Sequence, residues 1–417
     1  MSIRYNAEAS DMLQMIFEDF NDHQLHTLIS LKNHIDEVCL KKAIELSFQV
    51  FPLINSRYVE GFFKAYWEKG SATSEDILEV IKSENPEKDI DKIIVTRTEE
   101  FNGPQMKVYI IREKTKDSIC IIINHMLSDA GGFKEYLYIL SSIYSDLKVK
   151  GSCELKEKMG SRSLDQVFRQ LSLKEKARIL FTSSKISKYD SGNSFKLEGD
   201  KRNPFIATYK IPKEKFLKIR AYAKKNGATI NDVMLSAYLR TLKKFLKCSN
   251  FPIPCAVDLR KYIKDRKAEG ICNLVSNMIC YVDDIGESFD ETLIKIKKTM
   301  DAEKENASPL KAMLLLQTAF KFLPYKISKK VVTKTFKNPP IAMTNIGLID
   351  KKRLLFYGAV IEDAYMSGSI KYKEYFQIAV TTFDDKSTLS INMHGSLKDK
   401  VQINEFLKSF DNELEFA

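Results

Sequence analysis

The chain has 417 residues, 44% of them hydrophobic and 29% charged, which is the composition of an ordinary globular protein with room for two cores of common domain size. Its formal net charge of +11 favours anionic partners without choosing among them. Lysines are interleaved with acids, as in Lys213-Glu214-Lys215, and there is no nucleic-acid-binding motif, so nucleic acid is not an expected partner. Seven cysteines without a C-x-x-C pair argue against a disulfide framework or a structural zinc site. No stretch approaches the apolar length of a membrane-spanning helix, and residues 1–8 lack the apolar core of a secretory signal, so a cytoplasmic protein is expected, with no integral membrane segment.

Residues 26–32 alternate like a strand, and 36–51 repeat apolar positions at helical spacing until Pro52 stops the pattern. Residues 58–68 and a segment from Thr96 onward are further strand candidates, with a helix expected over 75–84. Residues 107–112 and 118–124, joined by the charged turn Glu113-Lys114-Thr115-Lys116-Asp117, predict an antiparallel hairpin. Past Gly132, the residues Phe133, Tyr136, Leu137, Leu140 and Tyr144 fall on one helical face, so an amphipathic helix packs back on the sheet. The stretch 150–202 is rich in Ser, Lys and Gly, as in Thr182-Ser183-Ser184-Lys185 and Asp190-Ser191-Gly192-Asn193-Ser194; it is expected to connect two domains and to hold one helix over 164–180.

The second half repeats the alternation. A strand over 205–211 precedes a helix over 213–226 ended by Gly227, and a long helix starts at Thr229 or Asn231 and runs through Phe245. Phe251-Pro252-Ile253-Pro254 leads into a strand over 253–259. A helical region over 310–336 breaks at Pro324, and Pro339-Pro340 opens a strand over 341–346. A hairpin of 376–383 with 388–394 and a helix from Asn404 close the chain. The expected organisation is two α/β sandwiches: an N-terminal domain over 1–160, a connection over 161–202 and a C-terminal domain over 203–417.

The chemistry is concentrated in Ile121-Ile122-Ile123-Asn124-His125-Met126-Leu127-Ser128-Asp129-Ala130-Gly131-Gly132. A buried-looking strand ends on a histidine, and an aspartate follows four residues later at the start of a helix. None of His23, His26, His34 and His394 has an acid at that position. Neutral imidazole titrates near working pH, so His125 facing a cleft can act as a general base. The alternative is a satisfied strand-end histidine, with Asp129 only capping the helix. Cys120, inside the strand, reads as packing. His23, His26 and His34 are not spaced to meet on one metal ion, and no phosphate-binding or dinucleotide-binding glycine motif is present.

Five segments in chain order carry a family resemblance. Asn124-His125-Met126-Leu127-Ser128-Asp129-Ala130 resembles an HHxxxDG signature. Pro52-Leu53-Ile54-Asn55-Ser56-Arg57-Tyr58, Gly227-Ala228-Thr229-Ile230-Asn231-Asp232-Val233, Val257-Asp258-Leu259-Arg260 and Thr344-Asn345-Ile346-Gly347 flank it across the chain. Together they resemble the chloramphenicol acetyltransferase-like superfamily, which includes peptide-synthetase condensation domains, alcohol acetyltransferases and wax ester synthases.

The resemblance implies two similarly built α/β domains forming a V-shaped pseudo-dimer, with a tunnel between them and the signature histidine at its middle. It implies an acyltransferase that moves an acyl group from a coenzyme A or carrier-protein thioester to a hydroxyl or amine, with His125 as general base. By the same resemblance Asp129 turns away from substrate onto an arginine, for which Arg260 is the candidate. The candidate oxyanion donors are the backbone N–H groups of Gly131 and Gly132, with Asn345 or Thr344 opposite; a structural role before Gly347 is the alternative for Asn345. Asn124 replaces the first signature histidine, a supporting position, and Ala130 replaces its glycine. Asn124 therefore counts against a peptide-forming condensation domain more than against catalysis. No permanently bound cofactor or metal is expected, since acyl-coenzyme A or acyl-phosphopantetheine enters as co-substrate. The expected partners are a small-molecule acceptor and, as donor, acyl-coenzyme A or an acidic acyl carrier protein, acting on a monomer. Two alternatives stand beside this reading: a free-standing condensation domain, and an inactive member that binds an acyl ligand or a partner protein.

Overall fold

The computed structural model describes residues 2–155, 159–181, 195–246, 252–335 and 339–415. The first half runs β1 (Arg4–Asn6), α1 (Ala9–Ile16), β2 (Gln24–Leu31), α2 (Glu37–Val50), β3 (Ser56–Glu60), β4 (Ala65–Lys69), β5 (Leu78–Lys82), α3 (Pro86–Ile93), β6 (Met106–Arg112), β7 (Asp117–Asn124) and α4 (Ala130–Lys150). Two short helices follow, α5 (Asp165–Phe168) and α6 (Leu173–Phe181). The second half runs β8 (Pro204–Ile211), α7 (Lys213–Lys225), α8 (Ile230–Leu246), β9 (Ile253–Asp258), β10 (Val275–Cys280), α9 (Phe289–Glu305), α10 (Ser308–Phe322), α11 (Tyr325–Thr335), β11 (Ile341–Ile349), β12 (Ile361–Ser367), β13 (Phe376–Phe383), β14 (Lys386–His394) and α12 (Leu397–Asn412).

The strands form a five-stranded sheet in the order β12-β2-β7-β6-β5, a six-stranded sheet in the order β10-β9-β11-β13-β14-β8, and a small sheet β1-β4-β3. Every residue of β7 is buried because both faces are covered. Ile119, Ile121 and Ile123 join the core built with α2 and α4, while Cys120 and Ile122 pack toward Ile93, Ile94 and Tyr365 on the opposite face. That is why the strand reads as a continuous apolar run rather than an alternating one. The six-stranded sheet has its own core, with α7, α8, α9 and α12 contributing Phe216, Tyr238, Ile296 and Phe406.

β12 was not anticipated in the sequence. It leaves the second half of the chain and pairs antiparallel with β2, Ser367 opposite His26 and Ile361 opposite Leu31, so the first sheet is completed by residues some 340 positions downstream. β11 runs parallel to β13, with a bulge between Asn345 and Gly347, where Gly347 takes φ +80°.

Several local expectations are corrected. Residues 58–68 are not one strand but the hairpin of β3 and β4, turning at Gly61-Phe62-Phe63-Lys64. The helix expected over 75–84 is a single 3-10 turn (Ser74–Asp76) followed by β5, whose Val80 and Ile81 suit a strand paired parallel to β6; the helix, α3, begins at Pro86 behind an Asn85 cap. No strand forms from Thr96; the chain there turns until β6. The one helix over 164–180 is two, α5 and α6. The closing helix starts at Leu397, well before Asn404, because Ser396 and Asp399 form a capping box. The break at Pro324 separates α10 from α11. The segments Thr182-Ser183-Ser184-Lys185 and Asp190-Ser191-Gly192-Asn193-Ser194, with Phe251 and Phe336, lie outside the described residues. No described helix is long and apolar enough to cross a membrane.

Candidate active site

At the end of β7 the backbone of His125 stays paired with the β2 side, its N–H donating to the His23 carbonyl at 2.8 Å. His23 adopts φ +40°, a left-handed conformation that costs a non-glycine residue energy and is held by its surroundings. Asn124 Oδ1 accepts from the Met126 N–H at 2.9 Å, and its side-chain Nδ2 donates to Gln105 Oε1 at 2.9 Å. Asn124 is thus fully buried scaffolding beneath the turn.

Asp129 is the N-cap of α4 and the centre of a buried network. Its Oδ1 accepts from the Gly132 N–H at 2.7 Å and from Arg260 Nη2 at 3.0 Å; its Oδ2 accepts from Arg260 Nη1 at 2.9 Å and from the Leu274 N–H at 2.7 Å. Arg260 also donates to the Cys272 carbonyl at 3.0 Å. Burial alone would raise the Asp129 pKa, but the Arg260 guanidinium and the backbone donors outweigh it and hold the carboxyl below its ordinary value. A carboxylate with four donors, two of them from one bidentate arginine, has no lone pair left for substrate chemistry. It fixes the loop.

The two glycines serve the same packing. A Cβ on Gly131 would stand 2.7 Å from Arg260 Nη1, and one on Gly132 would stand 2.8 Å from the Cys272 carbonyl oxygen. The expectation that Gly132 offers its N–H to an oxyanion is corrected, because that N–H is spent on Asp129; neither glycine is among the residues that line the cleft. They let α4 start against the second half of the chain.

The His125 ring is oriented by Asn273, which the sequence did not single out. Asn273 Nδ2 donates to the carbonyls of His125 at 2.8 Å and Met126 at 3.0 Å, which turns its Oδ1 toward His125 Nδ1 at 3.2 Å. An oxygen there requires the proton on Nδ1, leaving Nε2 as the basic nitrogen. Nε2 meets no hydrogen-bond partner among the described residues. Burial lowers the His125 pKa, Asp129 opposes that, and the cation of Lys371 adds to it. A second buried pair supports the turn from behind: Arg162 meets Asp11 at 2.8 Å on both nitrogens and donates to the Leu127 carbonyl at 2.8 Å.

His125 borders a cleft whose walls come from both halves of the chain. The first half contributes Gln14, Phe17, Asn21 and Leu25, and the second Asn277, Thr344, Ser369, Lys371 and Tyr375. On β11 the pleat decides which candidates face it. Ala342, Thr344 and Ile346 line the cleft, whereas Asn345 does not and instead accepts the Gly347 N–H at 2.9 Å. Asn345 as an oxyanion donor is therefore corrected to its structural alternative. Lys371 has its backbone clamped on two sides, its N–H to the Asn392 carbonyl at 3.0 Å and its carbonyl to the His394 N–H at 2.8 Å. Its ammonium has no ion-pair partner among the described residues, and burial pushes its pKa down to about 8. No group of three or more His, Cys, Asp or Glu residues among the described ones is arranged to hold a metal ion.

The sequence model of the WS/DGAT C-terminal domain matches residues 273–415, roughly a third of the chain. A search of curated protein sequences returned no match. Solved structures agree in fold over nearly the whole chain. The first condensation domain of the calcium-dependent antibiotic synthetase, with a substrate analogue, superposes with a TM-score of 0.75 at 12% identity, covering 100% of this chain and 98% of that one. The trichothecene 15-O-acetyltransferase of Fusarium sporotrichioides gives 0.73 at 12% identity, covering 99% and 95%. Polyketide synthase associated protein 5 of Mycobacterium tuberculosis gives 0.71 at 15% identity, covering 99% and 98%.

Proposed function

From a chain that carries the fold of the chloramphenicol acetyltransferase-like superfamily, we propose an acyltransferase that moves an acyl group from a coenzyme A or carrier-protein thioester to a hydroxyl or amine acceptor, with His125 as general base. The observation that carries this reading is the His125 ring: Nδ1–H is committed to Asn273, so Nε2 offers its lone pair to the cleft. The acceptor enters the cleft and gives its proton to Nε2 as its oxygen or nitrogen attacks the thioester carbonyl. The tetrahedral intermediate collapses, the C–S bond breaks, and the imidazolium returns the proton to the departing thiolate. The Thr344 hydroxyl and the Lys371 ammonium, both on the cleft wall, are the side chains suited to the oxyanion. Asp129 and Arg260 are positioning residues, since they hold the turn and touch no substrate. The V-shaped arrangement with a through tunnel belongs to this proposal, with donor and acceptor entering from opposite faces.

A condensation reaction between two carrier-bound substrates is the second reading, favoured by the similarity to condensation domains and opposed by Asn124 at the first signature histidine.

The test is free-thiol release from a panel of acyl-coenzyme A donors and acyl carrier proteins, with mixed alcohol and amine acceptors. Acceptor-dependent release is expected in the wild type, falling by about 10² to 10⁴ in His125→Ala with unfolding temperature unchanged. Release only from carrier proteins with an amine on a second carrier supports the condensation reading. Silence with every donor sinks the enzyme and leaves a binding protein.

A further inference from the structure

Between Glu305 and Asp350 the chain contains no acidic residue but seven lysines. This stretch includes α10 and α11, which pack on α1 beside the cleft. The outer side of the pair is apolar where a surface is normally polar. Phe322 is 74% exposed, and Leu323, Ile327 and Val331 beside it are also exposed. The turn between β3 and β4 adds two more rings, Phe62 at 56% and Phe63 at 71% exposure. These two groups form one face, because the carbonyls of Phe63 and Phe62 accept the N–H groups of Tyr325 and Lys326 at 3.0 and 3.4 Å.

The lysines ring this face. Lys326 lies over the Phe62 ring at 5.8 Å and Lys321 over the Phe322 ring at 5.9 Å. Lys330 and Lys334 continue along the exposed side of α11 at one-turn spacing. None of these four is in a salt bridge among the described residues, while the neighbouring Lys329 is neutralised by Glu60 at 2.7 Å. Exposed rings at the centre and unpaired ammonium groups at the rim are what a helix lying in a lipid interface presents: rings reach below the headgroups while lysine stems carry their charges up to the phosphates. A polar protein partner would leave the rings without an apolar counterpart; an anionic bilayer matches both features.

We propose that the face formed by α10, α11 and the β3–β4 turn docks peripherally on an anionic lipid surface. The cleft then opens beside the membrane, because Phe17, directly after α1, and Val275 and Asn277 on β10 line the cleft, and both α1 and β10 pack on α10. The inference does not depend on the acyltransferase reading.

The test is co-sedimentation of the full chain with vesicles of phosphatidylcholine alone and of equimolar phosphatidylcholine and phosphatidylglycerol. Binding is expected to the mixed vesicles, to fall steeply as salt rises, and to be much weaker on phosphatidylcholine. Lys326→Gln with Lys330→Gln should weaken it by tenfold or more, at roughly fivefold per lysine near the surface. Phe63→Ser with Phe322→Ser should lower it by about tenfold or more at unchanged unfolding temperature, since both side chains are exposed. Equal binding to both vesicle types, no binding to either, or a serine double variant that binds like the wild type each overturns the proposal. Analytical ultracentrifugation without vesicles checks the other occupant: a dimer that the serine variant dissociates assigns the face to self-association and also overturns it.

Discussion

Asp129 and Arg260 show how a pair can matter without touching substrate. Removing Arg260 leaves a buried carboxylate with no counter-ion, so Arg260→Met is expected to lose about 3–5 kcal/mol of stability at neutral pH, measured by denaturant unfolding. The pH dependence has a definite sign. In the wild type the depressed Asp129 pKa contributes stability that is present above its unfolded value of about 3.9 and is lost as pH falls through the folded value. The deficit of Arg260→Met should therefore be largest near neutrality and shrink as pH falls through the folded pKa of Asp129 in the variant, which burial without the arginine pushes up. His125 titrates for another reason: burial and the Lys371 cation favour its neutral form, so the acid limb of kcat/KM should fall below the ordinary histidine value of about 6.5. In Lys371→Met that limb should move up; a profile that stays put would separate Lys371 from the base. The spacing of His125 and Asp129 was legible in the sequence. Asn273, Arg162 and Lys371 were not, because an asparagine 148 residues away from a histidine carries no local pattern that announces a hydrogen bond.

Among the elements, β11 and the start of α4 carry the clearest consequences. The pleat of β11 puts Thr344 in the cleft and turns Asn345 away, so the two neighbours should separate in experiment. Thr344→Val is expected to slow turnover by about tenfold or more with little change in stability, read from kcat and the unfolding temperature. Asn345→Ala should leave kcat unchanged and cost about 1 kcal/mol, the worth of the hydrogen bond to the Gly347 N–H. At α4, a methyl on Gly132 meets the Cys272 backbone oxygen, so Gly132→Ala should destabilise by about 1–3 kcal/mol. Periodicity found the long elements α2, α4 and α7, each of which has an exposed side, and also α8, which is buried on every side over residues 232–239. It failed at β5, where Ile77 and Ile81 mimic a helical repeat and only the parallel neighbour β6 decides for a strand.

For the molecule as a whole, β12 is the decisive strand. It ties the first sheet to the second half of the chain, and Asn392 on β14 reinforces the crossing by donating to Ser367 Oγ at 3.0 Å. A fragment of residues 1–202 lacks β12 and exposes the edge of β2, so it is expected to aggregate when produced alone, as size-exclusion chromatography would register. A monomeric, well-folded fragment would mean that the first sheet does not need its strand from the second half.

What the sequence determined by itself is what neighbouring residues decide together: the buried run of β7, the histidine and aspartate that follow it, the breaks at Pro52, Gly227 and Pro324, and the order of motifs that resembled an acyltransferase fold. Tertiary structure alone decided which distant side chains meet. It brought Asn273 to the His125 ring, closed the Asp129–Arg260 pair, faced Thr344 and Lys371 into one cleft and passed β12 into the first sheet. The physical reason is that propensity, capping and periodicity act within a few residues. Pairing energies between remote groups depend on burial and register, which exist only once both halves have packed.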